Sequence, residues 1–224
     1  MRKSLTGLAL LAVSFSYAQQ KAIVADDRSN FFTVQKMAGA QYSSQKYVSF
    51  VSGDPFYRDA WLTGSIVTMD SLKLDKLLLK LDFIENVIIH KNEKNEEMVC
   101  TVPVKEVWLN DPVSGKDVEF VQLNKVLYQK LSDGPVILYK QYFKKIVESK
   151  SYASSVTEQS IISEEHYYVG LVTGLVRIKK PKDLASVFPG KASEINDYVS
   201  QKKLNGKKES DYIAIVDYYN TLNN

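Results

Sequence analysis

Cysteine and proline are scarce in this sequence, with one cysteine and six prolines among 224 residues. The lone thiol, Cys100, excludes an internal disulfide, so the hydrophobic core has to hold the fold without a covalent crosslink. Cys100 lies in the apolar segment 98–102, MVCTV. This setting predicts a buried, unreactive thiol rather than a nucleophile.

Histidine is equally scarce, and the two that exist, His90 and His166, are far apart in the chain. A catalytic metal site generally takes three protein ligands, often histidines at short spacing. Glu164 lies two residues before His166, but a two-histidine, one-carboxylate site would require His90 to meet this pair in the fold. We therefore expect no metal and no other cofactor.

The familiar catalytic motifs are missing as well. The sequence has no G-x-S-x-G, no H-E-x-x-H, no G-x-G-x-x-G and no phosphate-binding loop. A missing motif does not exclude an enzyme, but together these absences favour a non-catalytic protein.

A large excess of charge of one sign is absent too, because the formal net charge is only +3. Arg2 and Lys3 contribute two of these charges and precede the apolar run 5–13 and the small-residue pattern Ser16-Tyr17-Ala18. This arrangement predicts a signal peptide over 1–18, cleaved after Ala18, and hence export to the periplasm or the cell exterior. The apolar run is shorter than the about 20 residues that span a bilayer, and no later stretch reaches that length. The near-neutral remainder gives no basic face for a nucleic acid.

Alternating apolar and polar residues indicate β-strands through most of the chain. The clearest case is 72–83, where Leu77, Leu79 and Leu81 share one face after a break at Asp75-Lys76. Further strands are predicted over 31–37, 61–69, 86–90, 98–102, 104–109, 118–123, 136–149 and 166–180, with turn residues between them. Gly64, inside the strand over 61–69, indicates a bulge or a close backbone approach. We expect a mainly β (α+β) fold, with an antiparallel sheet forming a sandwich or open barrel over 19–180.

The last part of the chain changes period and predicts two or three helices over 181–224, packed on the sheet. Pro181 marks a helix start and Ser193 is a candidate N-cap. No long linker separates these helices from the strands, so a division into two independent domains is not expected.

The segment 52–68, SGDPFYRDAWLTGSIVT, is the most site-like stretch of the sequence. Asp54, Arg58 and Asp59 are candidates for a pair of carboxylates with a cation, which suits acid–base chemistry when the two pKa values differ. The alternative is a turn aspartate and a surface ion pair, and it is favoured because charges in loops are usually solvated. Trp61 is then a packing anchor at the start of a strand.

The same segment carries a resemblance to a known class of proteins. Gly53-Asp54-Pro55-Phe56, the Trp61-Leu62-x-Gly64 pattern and the C-terminal Tyr218-Tyr219-Asn220 resemble a recurrent group of secreted or periplasmic envelope proteins from Bacteroidota-type bacteria. The chain departs from that group at 81–83, where Leu-Asp-Phe replaces Arg-Tyr-Asn. The resemblance implies a strand-rich fold and an envelope location, and it implies no activity.

Tyrosine is abundant, with 14 residues, and several tyrosines lie on the late strands. Exposed aromatic rings stack on sugars or anchor protein partners, whereas buried ones would pack beneath the C-terminal helices. The candidate binding residues are Arg58, Trp61, Tyr139, Tyr142, Tyr167 and Tyr168.

Three functions remain open from the sequence. The favoured one is a non-catalytic envelope protein that binds a protein partner or a surface polymer. The second is a carrier of a lipid or other apolar ligand between the sheet and the helices, and the third is an envelope hydrolase.

Overall fold

The computed structural model describes residues 38–47, 49–150, 157–188 and 190–222. Eleven strands form one open antiparallel sheet, in the order β1-β5-β4-β3-β2-β6-β7-β8-β9-β10-β11. The strands are β1 (Ala38–Gln41), β2 (Leu62–Thr68), β3 (Lys73–Asp82), β4 (Val87–Lys91), β5 (Glu97–Cys100), β6 (Val104–Asp111), β7 (Lys116–Leu123), β8 (Val126–Lys130), β9 (Ile137–Lys150), β10 (Thr157–Leu171) and β11 (Gly174–Ile178). A 3₁₀ turn (Ser44–Tyr47) follows β1, and the helices α1 (Asp183–Val187), α2 (Ala192–Gln201) and α3 (Glu209–Thr221) follow β11. The predicted fold class is confirmed.

The sheet is strongly curled in its first half. Only 101–103 connect β5 to β6, although β4, β3 and β2 lie between these strands in the sheet. Four strand spacings across a flat sheet would measure about 19 Å, whereas this connection can span about 15 Å at most. The sheet therefore bends until the end of β5 approaches the start of β6.

Two predicted irregularities produce this bend. The register of β2 against β3 shifts between Gly64 and Ile66, and Lys76 on β3 has a φ of 58°. A Cβ atom at Gly64 would lie 2.2 Å from the carbonyl oxygen of Trp108. Only glycine fits there, so the irregularity that the sequence indicates at Gly64 is confirmed as a close approach of two strands.

The concave face of the sheet carries two cores. The first fills the curl of β2–β8 and comprises Tyr57, Leu62, Ile66, Leu74, Leu77, Leu79, Leu81, Phe83, Ile88, Val104, Val107, Leu109, Val118, Phe120 and Leu127. The second joins the helices to β9–β11 and comprises Val136, Leu138, Val169, Ile178, Leu184, Ala185, Phe188, Ile195, Val199, Tyr212, Ile215 and Val216. Because Leu138 belongs to the second core and Tyr142 packs on the first, a single face of β9 serves both.

The convex face is covered only in part. Around Ile89, a small third cluster packs Tyr42 and Phe56 against the sheet. Within the described residues, no helix packs on the convex side of β7–β10, because the three helices contribute to the core on the other face.

Some predictions differ from the structure or lie outside it. The signal peptide and the strand expected over 31–37 fall outside the described residues. β8 (Val126–Lys130) was not predicted, because it is only five residues long and follows β7 after two residues. Ser193 is not an N-cap: α2 begins at Ala192, one residue earlier, and its cap position makes no side-chain hydrogen bond.

Candidate functional site

The segment 51–57 is a bridge between two distant parts of the sheet. Ile161 on β10 donates its backbone N–H to the carbonyl oxygen of Ser52 at 2.9 Å. At the other end, the N–H of Phe83 donates to the carbonyl oxygen of Pro55 at 2.8 Å. The segment thus links the β9–β10 hairpin to the end of β3, two regions that do not pair with each other.

Turn chemistry gives the segment its shape, as the sequence predicts. Gly53 has a φ of +79°, and a Cβ atom there would lie 2.0 Å from the carbonyl oxygen of Ile161. The carboxylate of Asp54 accepts the backbone N–H of Phe56 at 2.8 Å, which is an Asx turn. A side chain at position 53 would be both strained and obstructed.

Lys144 on β9 holds this bridge in place. Its ammonium group donates to the carbonyl oxygen of Asp54 at 2.9 Å, to the carboxylate of Asp54 at 3.2 Å and to the carbonyl oxygen of Phe56. The Lys144 side chain is 8% exposed. Because this one turn supplies three acceptors for the buried ammonium, Lys144 has a structural role. We call this set of three contacts the Lys144 clasp.

The three charged residues of the segment do not form one site. Asp54 contacts the lysine just described, Arg58 pairs with Asp111 at 3.1 Å, and Asp59 pairs with Lys80 at 2.6 Å. Each carboxylate therefore has its own cation. This arrangement matches the turn-and-ion-pair interpretation and offers no paired carboxylates for acid–base chemistry.

The Arg58–Asp111 pair is the most strongly organised of the three. Burial raises the pKa of the Asp111 carboxyl, but hydrogen bonds from the Arg58 guanidinium, the Val113 N–H and the Tyr57 hydroxyl lower it to about 2. The Asp111 side chain is 1% exposed and that of Arg58 is 38% exposed. The guanidinium also lies 4.7 Å from the centre of the Tyr57 ring. Arg58, a candidate binding residue, thus has a structural role.

This pair predicts a loss of stability in acid. The folded pKa of Asp111 is below the unfolded value of about 3.9, so its contribution is complete above about pH 4 and is lost between about pH 4 and pH 2. We expect the free energy of unfolding of the wild type to fall more steeply over this range than that of Asp111→Asn, by roughly 1–2 kcal/mol after allowing for the exposure of Arg58. Denaturant titrations at each pH measure this. Asp75→Asn, at an exposed position, should leave the slope unchanged, and parallel profiles for wild type and Asp111→Asn would contradict the assignment.

Trp61 lies at the edge of the third cluster and is half-buried. The ammonium of Lys91 lies 5.0 Å from the centre of its ring. Trp61 thus packs beside the start of β2, as expected for an anchor, and it keeps part of its surface in solvent.

Two of the candidate tyrosines lie on the concave face. Tyr142 packs on Phe83 and Phe120 in the first core, and its hydroxyl donates to Gln129 at 2.7 Å. Tyr167 stacks on Tyr212 of α3, with ring centres 4.5 Å apart. Only Tyr167 therefore packs beneath a helix, and Tyr142 packs inside the curl.

The other two, Tyr139 and Tyr168, lie on the convex face beside Tyr128. The ring centres of Tyr128 and Tyr168 are 5.4 Å apart, those of Tyr128 and Tyr139 are 6.2 Å apart, and both pairs meet edge to face. The Tyr168 hydroxyl donates to Gln141 at 3.0 Å. We call Tyr128, Tyr139 and Tyr168 the outer tyrosine cluster. Sequence reasoning missed Tyr128, because its strand was not predicted.

A groove of about 560 Å³ adjoins this cluster. Pro135, Ile137 and Tyr139 form part of its wall, and Leu171 and Leu175 form another. A Cβ atom at Gly170, which also lines the groove, would lie 2.8 Å from the Tyr139 ring. Glycine therefore lets the ring lie flat against β10, where it forms the boundary between cluster and groove.

The remaining candidate groups are separated. Nε2 of His166 lies 3.0 Å from the accepting carboxylate of Glu164, and the His166 ring stacks on Phe143. His90 is fully buried on β4. Cys100 is half-buried rather than fully buried as predicted. Desolvation still raises the pKa of its thiol to about 11, which fits an unreactive thiol. Among the described residues, no three histidine, cysteine or acidic side chains are grouped to hold a metal ion.

Comparisons with known proteins identify no relative of this chain. A scan against family models and searches of curated proteins and of solved structures find no match to this chain. None of the helices in the described ranges is long and apolar enough to cross a membrane.

Proposed function

We propose that the protein is an exported, non-catalytic protein of the cell envelope that binds a protein partner through the outer tyrosine cluster and the adjoining groove. The observation that carries this proposal is that the half-buried Tyr168 clusters with Tyr128 and Tyr139, which are 8% and 9% exposed, beside an open groove on a part of the sheet that no described helix covers. Export rests on the sequence pattern of 1–18.

The chemistry of this surface suits a protein partner. Tyrosine is enriched in protein interfaces because it offers a large apolar ring with a polar tip at low conformational cost. The groove beside the cluster is lined mainly by apolar side chains, including Ile137, Leu171 and Leu175. Binding energy in interfaces concentrates where an aromatic or aliphatic anchor enters such a pocket. We expect the partner to place one apolar side chain in the groove.

The other two functions considered have less support. A carrier needs space between the sheet and the helices, but this interface is filled by buried side chains and by the stacked pair Phe188 and Tyr219, with ring centres 3.9 Å apart. A hydrolase needs its carboxylates in one cleft, and Asp54, Asp59 and Asp111 take part in separate ion pairs.

Photocrosslinking in intact cells tests the proposal. A photoreactive phenylalanine analogue replaces Tyr168 in one variant and Tyr198 in the other. Both tyrosines are half-buried, but Tyr198 lies on α2 and stacks on Tyr218, away from the outer cluster. We expect a discrete protein adduct from position 168 that is absent from position 198, identified by mass spectrometry. Identical adducts from both positions, or a glycan or lipid adduct from 168, would contradict the proposal.

The same surface gives a quantitative prediction for the partner so identified. We expect Tyr168→Ala to weaken its binding about tenfold or more, because truncation of an interface aromatic commonly costs about 1.4–2 kcal/mol or more. Tyr198→Ala should leave binding unchanged while causing a similar loss of stability. Calorimetric titration of the purified pair measures both. Equal binding by the two variants would place the interface elsewhere.

A further inference from the structure

An open polar cleft of about 440 Å³ lies at the β11 edge of the sheet. Its walls come from β10, from β11 and from the residues leading into α3. Gly206 forms one wall at a φ of 75°, and a Cβ atom there would lie 2.6 Å from Pro181 and 2.9 Å from the Tyr212 hydroxyl. The carboxylate of Asp211 accepts the Gly206 N–H at 2.9 Å. The wall is thus fixed by packing and hydrogen bonding.

Four cationic side chains line this cleft: Arg177, Lys179, Lys207 and Lys208. All four are exposed. Within the described part of the chain, none of them forms an ion pair. Positive charge from two separate parts of the chain is therefore concentrated here without a protein anion to neutralise it.

The two carboxylates of the cleft are already engaged. Glu209 pairs with the buried ammonium of Lys140 at 2.5 Å, and Glu165 lies 3.6 Å from the same group. The Tyr167 hydroxyl donates to Glu165 at 3.2 Å. Lys140 thus neutralises part of their charge, while oxygen lone pairs on the half-exposed Glu165 stay available to accept further hydrogen bonds.

We propose that this cleft binds an acidic sugar residue of a surface polysaccharide. The unpaired cations take the sugar carboxylate through charge-assisted hydrogen bonds. The exposed carboxylate of Glu165 accepts hydrogen bonds from the sugar hydroxyl groups. The volume of the cleft falls within the range of about 300–1,000 Å³ typical of small-ligand sites.

The mixed lining selects a sugar acid over a simple anion. Sulfate has no proton to donate to Glu165 and is repelled by it. An acidic sugar presents an anion to the lysines and hydroxyl donors to the carboxylate, so both kinds of wall contribute. The cleft is separate from the groove beside Tyr139, although Arg177 lies opposite Tyr168 in the β10–β11 pair, and it does not depend on the partner-binding function proposed above.

Titration with a defined oligosaccharide tests the site. The probe is trigalacturonic acid, and the neutral control is the same trisaccharide with its carboxyl groups methyl-esterified. We expect saturable binding of the acid by calorimetry at low ionic strength and at least about tenfold weaker binding of the ester. Sulfate serves as the competitor. Equal binding of acid and ester, or displacement of the acid by sulfate at equal concentration, would overturn the acidic-sugar assignment.

Paired substitutions locate the binding. Lys207→Gln with Lys208→Gln should weaken binding of the acid about tenfold or more. The matched control, Lys94→Gln with Lys202→Gln, removes the same charge at exposed positions outside the cleft and should leave binding unchanged. Tyr168→Ala should bind the trisaccharide like the wild type. If both double variants lost the same amount of affinity for the trisaccharide, the effect would come from net charge alone, and the site would be refuted.

Discussion

Asp82→Ala should destabilise the protein by about 3–5 kcal/mol, the range expected when a buried charged partner is removed from a satisfied network. Asp82 is fully buried at the end of β3. One carboxylate oxygen accepts the hydroxyl groups of Tyr42 at 2.6 Å and Tyr47 at 3.1 Å. The other accepts the backbone N–H groups of Ile84 at 2.8 Å and Glu85 at 2.9 Å.

Alanine would leave four donors without their acceptor, and each buried, unsatisfied donor costs about 1–3 kcal/mol. Water entering the site would reduce this total, which is why the expected loss is below the sum. Urea titration followed by fluorescence measures the free energy of unfolding. Asp75→Ala is the matched control on the same strand, because Asp75 is exposed and pairs only with Lys73 on the surface. It should change stability by less than about 0.5 kcal/mol.

Asp82→Asn removes the negative charge of the side chain but nearly keeps its shape, so it tests the two contributions separately. The amide keeps one carbonyl oxygen for the two backbone N–H groups but places an NH₂ against the hydroxyls of Tyr42 and Tyr47. Those hydroxyls can rotate to accept, so the loss should fall below that of alanine. An alanine variant as stable as the wild type, or an asparagine variant less stable than alanine, would contradict the role assigned to this carboxylate.

Local periodicity predicted much of the sheet, because strand alternation depends on which side chains face the core. Leu77, Leu79 and Leu81 share the buried face, as their spacing indicates, and the break at Lys76 is where β3 bends. The curl as a whole was not predictable. The curl requires β2 to pair with β6, although β3, β4 and β5 lie between them in the sequence. No local sequence pattern encodes a pairing between strands that far apart.

The candidate site was predictable only in part, for the same reason. Tyr139 and Tyr142 lie three residues apart on β9. Because side chains alternate between the two faces of a strand, this odd separation places them on opposite faces, and the sequence alone shows it. Which face the helices would cover depends on tertiary packing. The polar cleft was missed because Arg177 and Lys207 come from segments thirty residues apart that meet only in the folded chain.

The two proposed sites are related through β10. Side chains on the convex side of this strand include Tyr168, and those on the concave side include Tyr167, one residue away. A protein partner at the outer tyrosine cluster and an acidic polysaccharide in the polar cleft would make the protein a connector between envelope components. Because Arg177 of the cleft lies opposite Tyr168 in the β10–β11 pair, the two ligands would bind at adjacent positions.

Lys144→Met should destabilise the protein by about 2–3 kcal/mol, because it leaves the carbonyl groups of Asp54 and Phe56 without their donor. Methionine keeps most of the side-chain volume, so the loss reports the clasp rather than a cavity. Lys145→Met is the matched control: Lys145 is the next residue, lies on the opposite face and is about half exposed beside Glu164. Its substitution should cost less than about 0.5 kcal/mol.

Hydrogen exchange distinguishes a local from a global effect of this change. If Lys144 clasps the 51–57 bridge, the amides of Val51 and Tyr57, which donate to Gln159 and Leu81, should exchange faster in Lys144→Met by more than the loss of global stability accounts for. Amides in the β2–β3 pair should change only with global stability. Uniform acceleration at all positions would mean that the bridge opens only when the whole sheet unfolds. In that case the 51–57 segment would be an integral part of the sheet rather than a separately clasped corner.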